Sequence, residues 1–231
     1  MATIAANLQA VNGRIRDAAR VAGRDPLAVS LLAVSKAWPA PAVREAWEAG
    51  QRAFGENYAK EGAEKARQLA TLDIEWHFIG PVQSNKTSLI AMHFDWVHSI
   101  ERLNIAERLA AARAGKPPLN LCLQVNVSGE TTKSGVAPGE LRALARAVAA
   151  LPNVRLRGLM AIPEPSQDYA AQRRPFRALR EMLERLVNQE GLVLDTLSMG
   201  MSADLEAAIA EGATIVRIGT AIFGERSRGN S

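Results

Sequence analysis

The chain has 231 residues, 48% hydrophobic and 23% charged, with a formal net charge of +4. That is enough apolar material for one sizeable core, and α/β barrels often form a single domain of ~200–250 residues. The basic residues are scattered rather than gathered into a stripe with aromatics, which argues against a nucleic-acid partner, and no apolar run approaches the ~20 residues of a membrane span.

Ile4, Leu8, Val11 and Ile15 recur at helical spacing and predict an amphipathic helix over about 2–22. Arg14, Arg16 and Arg20 have the look of an organelle transit peptide, but Asp17 interrupts them, and a packed first helix is the better reading. Leu31–Lys36 is the first strand. Pro41 opens a helix with Val43, Ala46 and Trp47 on one face, and Gly50 stops it. Arg52–Asn57 is the second strand, with Asn57 placed to cap a helix over Tyr58–Leu69. Glu75–Gly80 is the third, followed by a helix over Asn85–His93 that Ser84 can cap. Trp96–Ile100 is the fourth; its helix has Leu103, Ala106, Leu109 and Ala110 on one face and ends near Gly115. Asn120–Val127 is the fifth. It holds Cys122, the only cysteine, which reads as a core residue. With no disulfide available within the chain, a reducing compartment and a cytoplasmic location are expected. Pro138 opens the next helix, carrying Leu141, Leu144, Ala145 and Val148. Arg155–Ile162 is the sixth strand, and Phe176, Leu179, Met182, Leu183 and Leu186 form the strongest apolar stripe of the helix after it. Thr196–Gly200 is the seventh; Ser202 can cap a helix that buries Leu205, Ala208 and Ile209 and ends at Gly212. Thr214–Gly219 is the eighth.

Most of these strands are continuous apolar runs, as in a parallel sheet covered on one face and filled on the other. Eight strand–helix alternations with short connections predict an α/β fold, a single (β/α)8 TIM-type barrel with an additional N-terminal helix. The barrel is expected over about 30–226, with 1–231 forming one domain. An open doubly wound sheet is the alternative; the absence of a glycine-rich dinucleotide fingerprint after the first strand weighs against it.

Functional groups of such a barrel sit at the carboxyl ends of the strands, and phosphate binds in the loops after strands seven and eight. The register puts Lys36, Asn57, Ser198–Gly200 and Gly219–Thr220 at that one mouth. An amine at an apolar strand end sits where burial lowers its pKa, and its neutral form condenses with an aldehyde. Gly219 lets the backbone approach an anion, and the Thr220 hydroxyl and nearby N–H groups can donate to phosphate oxygens. Ser198 and the Met199 N–H can donate from the adjacent loop, with Ser202 a weaker candidate.

Arg217, within Ile215-Val216-Arg217-Ile218, needs a partner in so apolar a strand. An internal salt bridge is one reading. The other sets it against the pyridine nitrogen of pyridoxal 5'-phosphate (PLP), where a permanent cation disfavours ring protonation and restrains carbanion chemistry. Taken singly, Gly219 makes a turn, Ser202 caps a helix and Lys36 is a rim lysine. Amine, phosphate cradle and ring partner together point to PLP as the cofactor. His77 reads as a hydrogen-bonded interior histidine, His93 and His98 lack metal spacing, and no metal is expected. Lys86 and Lys133 fall in loops, and Glu56 and Glu130 are acid–base candidates that nothing in the sequence pairs with a substrate.

At these residues the chain resembles the pyridoxal phosphate homeostasis proteins, which are related to the barrel domain of alanine racemase. The resemblance spans nearly the whole length. It rests on Ala33-Val34-Ser35-Lys36, Phe54-Gly55-Glu56-Asn57 and His77-Phe78-Ile79-Gly80-Pro81-Val82-Gln83-Ser84-Asn85-Lys86. It continues through Lys133-Ser134-Gly135, Gly158-Leu159-Met160, Leu197-Ser198-Met199-Gly200-Met201-Ser202-Ala203-Asp204 and Val216-Arg217-Ile218-Gly219-Thr220-Ala221-Ile222-Phe223-Gly224. The resemblance implies a single barrel that binds PLP through an imine at Lys36, with Arg217 at the ring nitrogen and the Ser198 and Gly219–Thr220 segments around the phosphate. It implies a non-catalytic carrier or buffer of PLP, serving PLP-dependent apoenzymes and vitamin B6 and amino-acid balance.

A PLP-dependent amino-acid racemase is the alternative. Racemisation by the route of the resembling racemases needs a base on each face of the substrate's Cα. Lys36 serves one face; those racemases take the other base from a tyrosine of an appended C-terminal domain across a dimer. The chain ends shortly after the eighth strand, so that domain is expected to be absent and a monomer is expected. Tyr58 and Tyr169 are the only tyrosines, and neither is placed as the missing base. A Schiff-base aldolase acting on phosphosugars would share the lysine and the cradle, but Arg217 and the long motifs weigh against it.

Overall fold

The computed structural model describes residues 3–128 and 134–225. Glu130 and Lys133 lie outside the described residues. The chain opens with α1 (Ile4–Val21), capped by Thr3, whose hydroxyl accepts from the Ala6 N–H. Leu8, Val11, Ile15 and Ala19 are its buried face. Strands and helices then alternate: β1 (Ser30–Val34), α2 (Ala40–Glu48), β2 (Ala53–Glu56), α3 (Ala59–Gln68), β3 (Glu75–Phe78), α4 (Thr87–His93), β4 (Trp96–Ile100) and α5 (Leu103–Ala112). The second half runs β5 (Leu119–Gln124), α6 (Leu141–Ala149), β6 (Val154–Met160), α7 (Tyr169–Glu190), β7 (Thr196–Ser198), α8 (Leu205–Ala210), β8 (Ile215–Ile218) and α9 (Thr220–Phe223).

Each strand pairs in parallel with the next, and β8 returns to β1 with Leu32 level with Arg217 and Ala33 level with Ile218. The sheet is a closed barrel without a free edge, the expected α/β barrel with its N-terminal helix. The helices bury apolar faces against the outside of the sheet, with Val43 and Ala46 from α2, Ile105 and Leu109 from α5, and Phe176, Leu179 and Leu186 from α7. Each large side chain buried this way stabilises the fold by roughly 1.5–3 kcal/mol. No helix among the described residues is long and apolar enough to cross a membrane.

The differences from the expected boundaries have local causes. Lys36, Asn57, Gly80, Ile162, Gly200 and Gly219, read as strand ends, have left the ladder and turn over the rim of one mouth. Asn57 does not cap α3: Tyr58 holds the N-cap position, without a side-chain bond. Ser84 starts a 3-10 turn, Ser84–Lys86, ahead of α4. Ser202 does not cap α8; Asp204 precedes that helix, and its carboxylate accepts from the Met201 N–H at 2.6 Å. Pro138 lies in a turn, and α6 begins only at Leu141. The helix carrying Phe176 begins earlier than its apolar stripe, at Tyr169, because Asp168 caps it through the Ala171 N–H.

Candidate functional site

Where the strands exit, a cavity of about 370 Å³ opens between the end of β1 and the loops after β7 and β8. Lys36, Asn57, Arg217, Gly219 and Thr220 line it, together with Ser202 and an apolar wall that includes Trp38, Ile79 and Ile162. Trp38 stacks on Phe223 of α9 at a ring distance of 5.8 Å. A larger groove of about 820 Å³ lies outside the barrel along α1, and no lysine lines it.

Lys36 is half-buried, and the backbone on both sides of it is tied down. The Ser35 N–H donates to Gly55 O at 3.0 Å, and the Ser35 hydroxyl donates to Glu56 Oε1 at 2.6 Å. The Ala37 N–H donates to Glu61 Oε1 at 2.6 Å. That bond holds Ala37 at φ +64°, a left-handed conformation that costs about 1–2 kcal/mol for a residue with a Cβ. Beneath the turn lies Lys65, with Nζ 2.8 Å from Ser35 O, 2.8 Å from Glu56 Oε1 and 2.7 Å from Glu61 Oε1. One ammonium thus serves two carboxylates. Burial pushes the Glu56 carboxyl above its ordinary 4.5, against the opposing pull of Lys65.

Between 4.5 and the higher folded value, the folded chain holds a proton that the unfolded chain has lost. This group's contribution to stability is therefore fully present below 4.5 and is lost as the pH rises through the folded value. Glu56→Gln is expected to flatten that decline in a pH series of urea unfolding midpoints, whereas an unchanged slope would assign the decline to other groups.

Asn57 reaches the cavity because β3 exits through glycine. A Cβ on Gly80 would stand 2.1 Å from the Asn57 carbonyl oxygen, closer than any side chain tolerates. The Asn57 Oδ1 is buried with no hydrogen-bond partner among the described residues, so it can receive a donor from a group in the cavity. At the opposite wall, Gly219 precedes α9, whose first ladder bonds run from the Ile222 and Phe223 N–H groups to Gly219 O. The N–H groups ahead of those donors have no partner within the helix.

Arg217 is buried, and two carbonyls and a hydroxyl hold it, rather than the internal salt bridge that was one of its two readings. Nη1 donates to Ser198 O at 2.6 Å and to Ser198 Oγ at 2.9 Å, and Nη2 donates to Ala161 O at 2.9 Å. Burial pushes its pKa down to about 10, which leaves it a cation at neutral pH.

Ser198 and Met199 were expected to reach the anion directly, but neither lines the cavity. Ser198 Oγ is engaged by Arg217 and His98, and the Met199 N–H donates to Ile215 O in the strand ladder. The loop after β7 meets the cavity instead through Met201, Ser202 and Ala203.

Sequence reasoning missed two clusters. One is the Lys65 network, of which only the Glu61–Lys65 i,i+4 spacing was local. The other joins Glu75, His77 and His98. Strand alternation puts Glu75 and His77 on one face of β3 and His98 on the matching face of β4, a signal that was available. Cys122 is a buried core residue, as read, with its thiol pushed up to about 12 by burial. Among the described residues no group of three or more His, Cys, Asp or Glu is placed to hold a metal.

Lys36 brings an amine, Arg217 a guanidinium cation, Asn57 an orphaned acceptor, and the Gly219–Thr220 turn N–H and hydroxyl donors to one cavity, a set that fits an aldehyde- and phosphate-bearing ring such as PLP.

Residues 6–227 match the family model described as the alanine racemase N-terminal domain. The chain is 64% identical to the pyridoxal phosphate homeostasis protein of Pseudomonas aeruginosa, over 99% of this chain and 98% of that protein. It is 53% identical to the protein of the same name in Escherichia coli K12, over 98% of each. Among solved structures, PipY of Synechococcus elongatus with PLP bound superposes with a TM-score of 0.80 at 41% identity, covering 91% of this chain and 100% of PipY. The alanine racemase of Bacillus anthracis shares the fold, with a TM-score of 0.72 at 16% identity over 96% of this chain and 57% of the racemase. The chain belongs to the pyridoxal phosphate homeostasis protein family, within the wider group built on the alanine racemase N-terminal domain.

Proposed function

We propose that this chain binds PLP and carries or buffers it for PLP-dependent apoenzymes, with no turnover of its own. The observation that carries this reading is the convergence of Lys36, Arg217, Asn57 and Gly219–Thr220 on one cavity, in a chain whose relative PipY has been solved with PLP. PLP supplies an aldehyde and an electron-withdrawing ring. Lys36 would hold the aldehyde end of PLP through its amine, as a Schiff base formed with loss of water. Gly219, Thr220 and Ser202 hold the phosphate. Asn57 takes a donor from the ring substituents. Arg217 would meet the ring nitrogen as a cation and disfavour its protonation, which would weaken the ring as an electron sink and suit storage rather than turnover. Ser198 acts on the ring only through Arg217. We take the chain to be a cytoplasmic monomer of one domain.

A racemase needs a second base, and the cavity wall offers no tyrosine, histidine, carboxylate or thiol beside Lys36 and Arg217 among the described residues. Tyr58 and Tyr169 are both about half exposed and do not line it.

The test is borohydride reduction of PLP-loaded protein followed by peptide mapping. A pyridoxyl group on Lys36 is expected; a colourless protein after incubation with PLP would overturn the proposal. Arg217→Lys is expected to fold less stably by about 1–3 kcal/mol, because one ammonium cannot replace the fork that satisfies three buried acceptors. Urea unfolding midpoints check this.

A further inference from the structure

A chain of hydrogen bonds crosses the barrel interior from one mouth to the other. At the far mouth a second cavity, of about 340 Å³, is lined by Glu75, His77, Trp96, Arg157 and Asp195 among others. Glu75, about half exposed there, lies with Oε1 2.7 Å from His77 Nε2. His77 Nδ1 is 2.9 Å from His98 Nε2, and His98 Nδ1 is 2.7 Å from Ser198 Oγ. Ser198 Oγ accepts from Arg217 Nη1 at 2.9 Å. His77, His98, Ser198 and Arg217 are all buried. The His77 ring stacks on Trp96 at 5.4 Å, only 6° from parallel, which holds its plane.

With both imidazoles neutral, the carboxylate end sets the direction of every bond. Arginine only donates, and an ionised carboxylate only accepts. Ser198 Oγ therefore receives an N–H from Arg217 and gives its own proton to His98 Nδ1. His98 then carries its proton on Nε2 and gives it to His77 Nδ1. His77 likewise carries its proton on Nε2 and gives it to Glu75. The opposite arrangement would aim the His77 Nε2 lone pair at the Glu75 carboxylate.

The surroundings favour the first arrangement. The bond from His77 holds Glu75 below the usual carboxylate range. Burial, with His77 and Arg217 nearby, keeps His98 well below the usual histidine value and hence neutral. The other ionisable groups close by are Cys122 of β5, Arg157 of β6, Asp195 before β7 and, beside Arg217, Asp204 before α8. Arg157 is committed to Asp195 at 2.6 Å and lies over the Trp96 ring.

We propose that Glu75, His77 and His98 are positioning residues for Arg217: the far-mouth carboxylate fixes both histidine tautomers, turns the Ser198 hydroxyl away from Arg217 and so locks the guanidinium in place. Its effect on bound PLP rests on the reading that Arg217 faces the ring.

Nitrogen-15 NMR of the PLP-free protein tests the lock, and absorbance of the PLP-loaded protein against pH tests its effect. In the wild type, both imidazoles are expected as the Nε2–H tautomer. In Glu75→Gln the amide either donates or accepts, so both tautomers should appear at His77 and at His98. After PLP loading, that variant should show a shifted absorbance band or pH midpoint, which a merely structural role would not produce.

An Nδ1–H tautomer in the wild type would overturn the proposal without any variant. Unchanged His98 signals in Glu75→Gln, or mixed tautomers with an unchanged PLP profile, would overturn it too. A wild type with the ordered tautomers but no visible band would instead defeat the PLP reading and leave the tautomer lock standing.

Discussion

Lys36→Ala is expected to abolish the visible absorbance of PLP-loaded protein and to weaken binding by at least an order of magnitude, about 1.4 kcal/mol for each tenfold loss. Among the described residues, Lys36 is the lysine that lines the cavity. The nearest substitute, Lys65, is buried with its ammonium committed to Ser35 O, Glu56 and Glu61. It has no exposed face with which to reach an aldehyde. The Gly219–Thr220 turn and Asn57 remain in the variant, so weaker, colourless binding through the phosphate should persist. Absorbance titration followed by borohydride trapping decides the matter, since a retained band would assign the tether to another amine.

Lys65→Met is expected to be strongly destabilising. The Glu56 side chain is fully buried, and without the ammonium it loses its cation. Breaking a buried pair from one side typically costs about 3–5 kcal/mol. For a chain of this length that corresponds to a fall in Tm of roughly 6–20 °C. Loss of the ammonium also releases the Ser35 carbonyl and frees Glu61 from its partner, so the turn that presents Lys36 loosens and PLP loading should fall as well. Thermal unfolding followed by circular dichroism, with and without PLP, measures both. An unchanged Tm would mean that the protonated form of Glu56 already needs no partner.

The structure also changes how Arg217 should be probed. Arg217→Glu, a natural choice for reversing the charge at a ring nitrogen, would set a carboxylate against Ser198 O and Ala161 O in a buried site. Unfolding would mask any effect on the ring, so the lysine variant is the readable one.

The fold was legible because its signals are local. Apolar runs such as Trp96–Ile100 and stripes such as Phe176 to Leu186 carry their period within a single element. The amine, the arginine and the glycine turn were legible for a related reason: strand ends in a parallel barrel share one mouth. What escaped was pairing across elements. Glu56 finds Lys65 from a neighbouring helix, and His98 finds Ser198 one hundred residues away. Such partners are set by the packed register, which no window of sequence contains. The helix caps assigned to Asn57 and Ser202 erred because both residues face the cavity instead, where side chains serve a ligand rather than the local backbone.

The seam of the barrel has one more consequence. Lys36 follows the first strand, whereas Arg217 and Gly219 belong to the last, and the site straddles the junction where β1 meets β8. A pocket built there cannot exist on a half-made chain, because its two walls are the earliest and latest parts of the sheet to be synthesised. On the proposed reading, a vitamer seated across that junction would act as a staple between them. By linkage, ligand at 100 times its dissociation constant would stabilise the closed ring by about 2.7 kcal/mol, which would couple B6 supply to the lifetime of this protein.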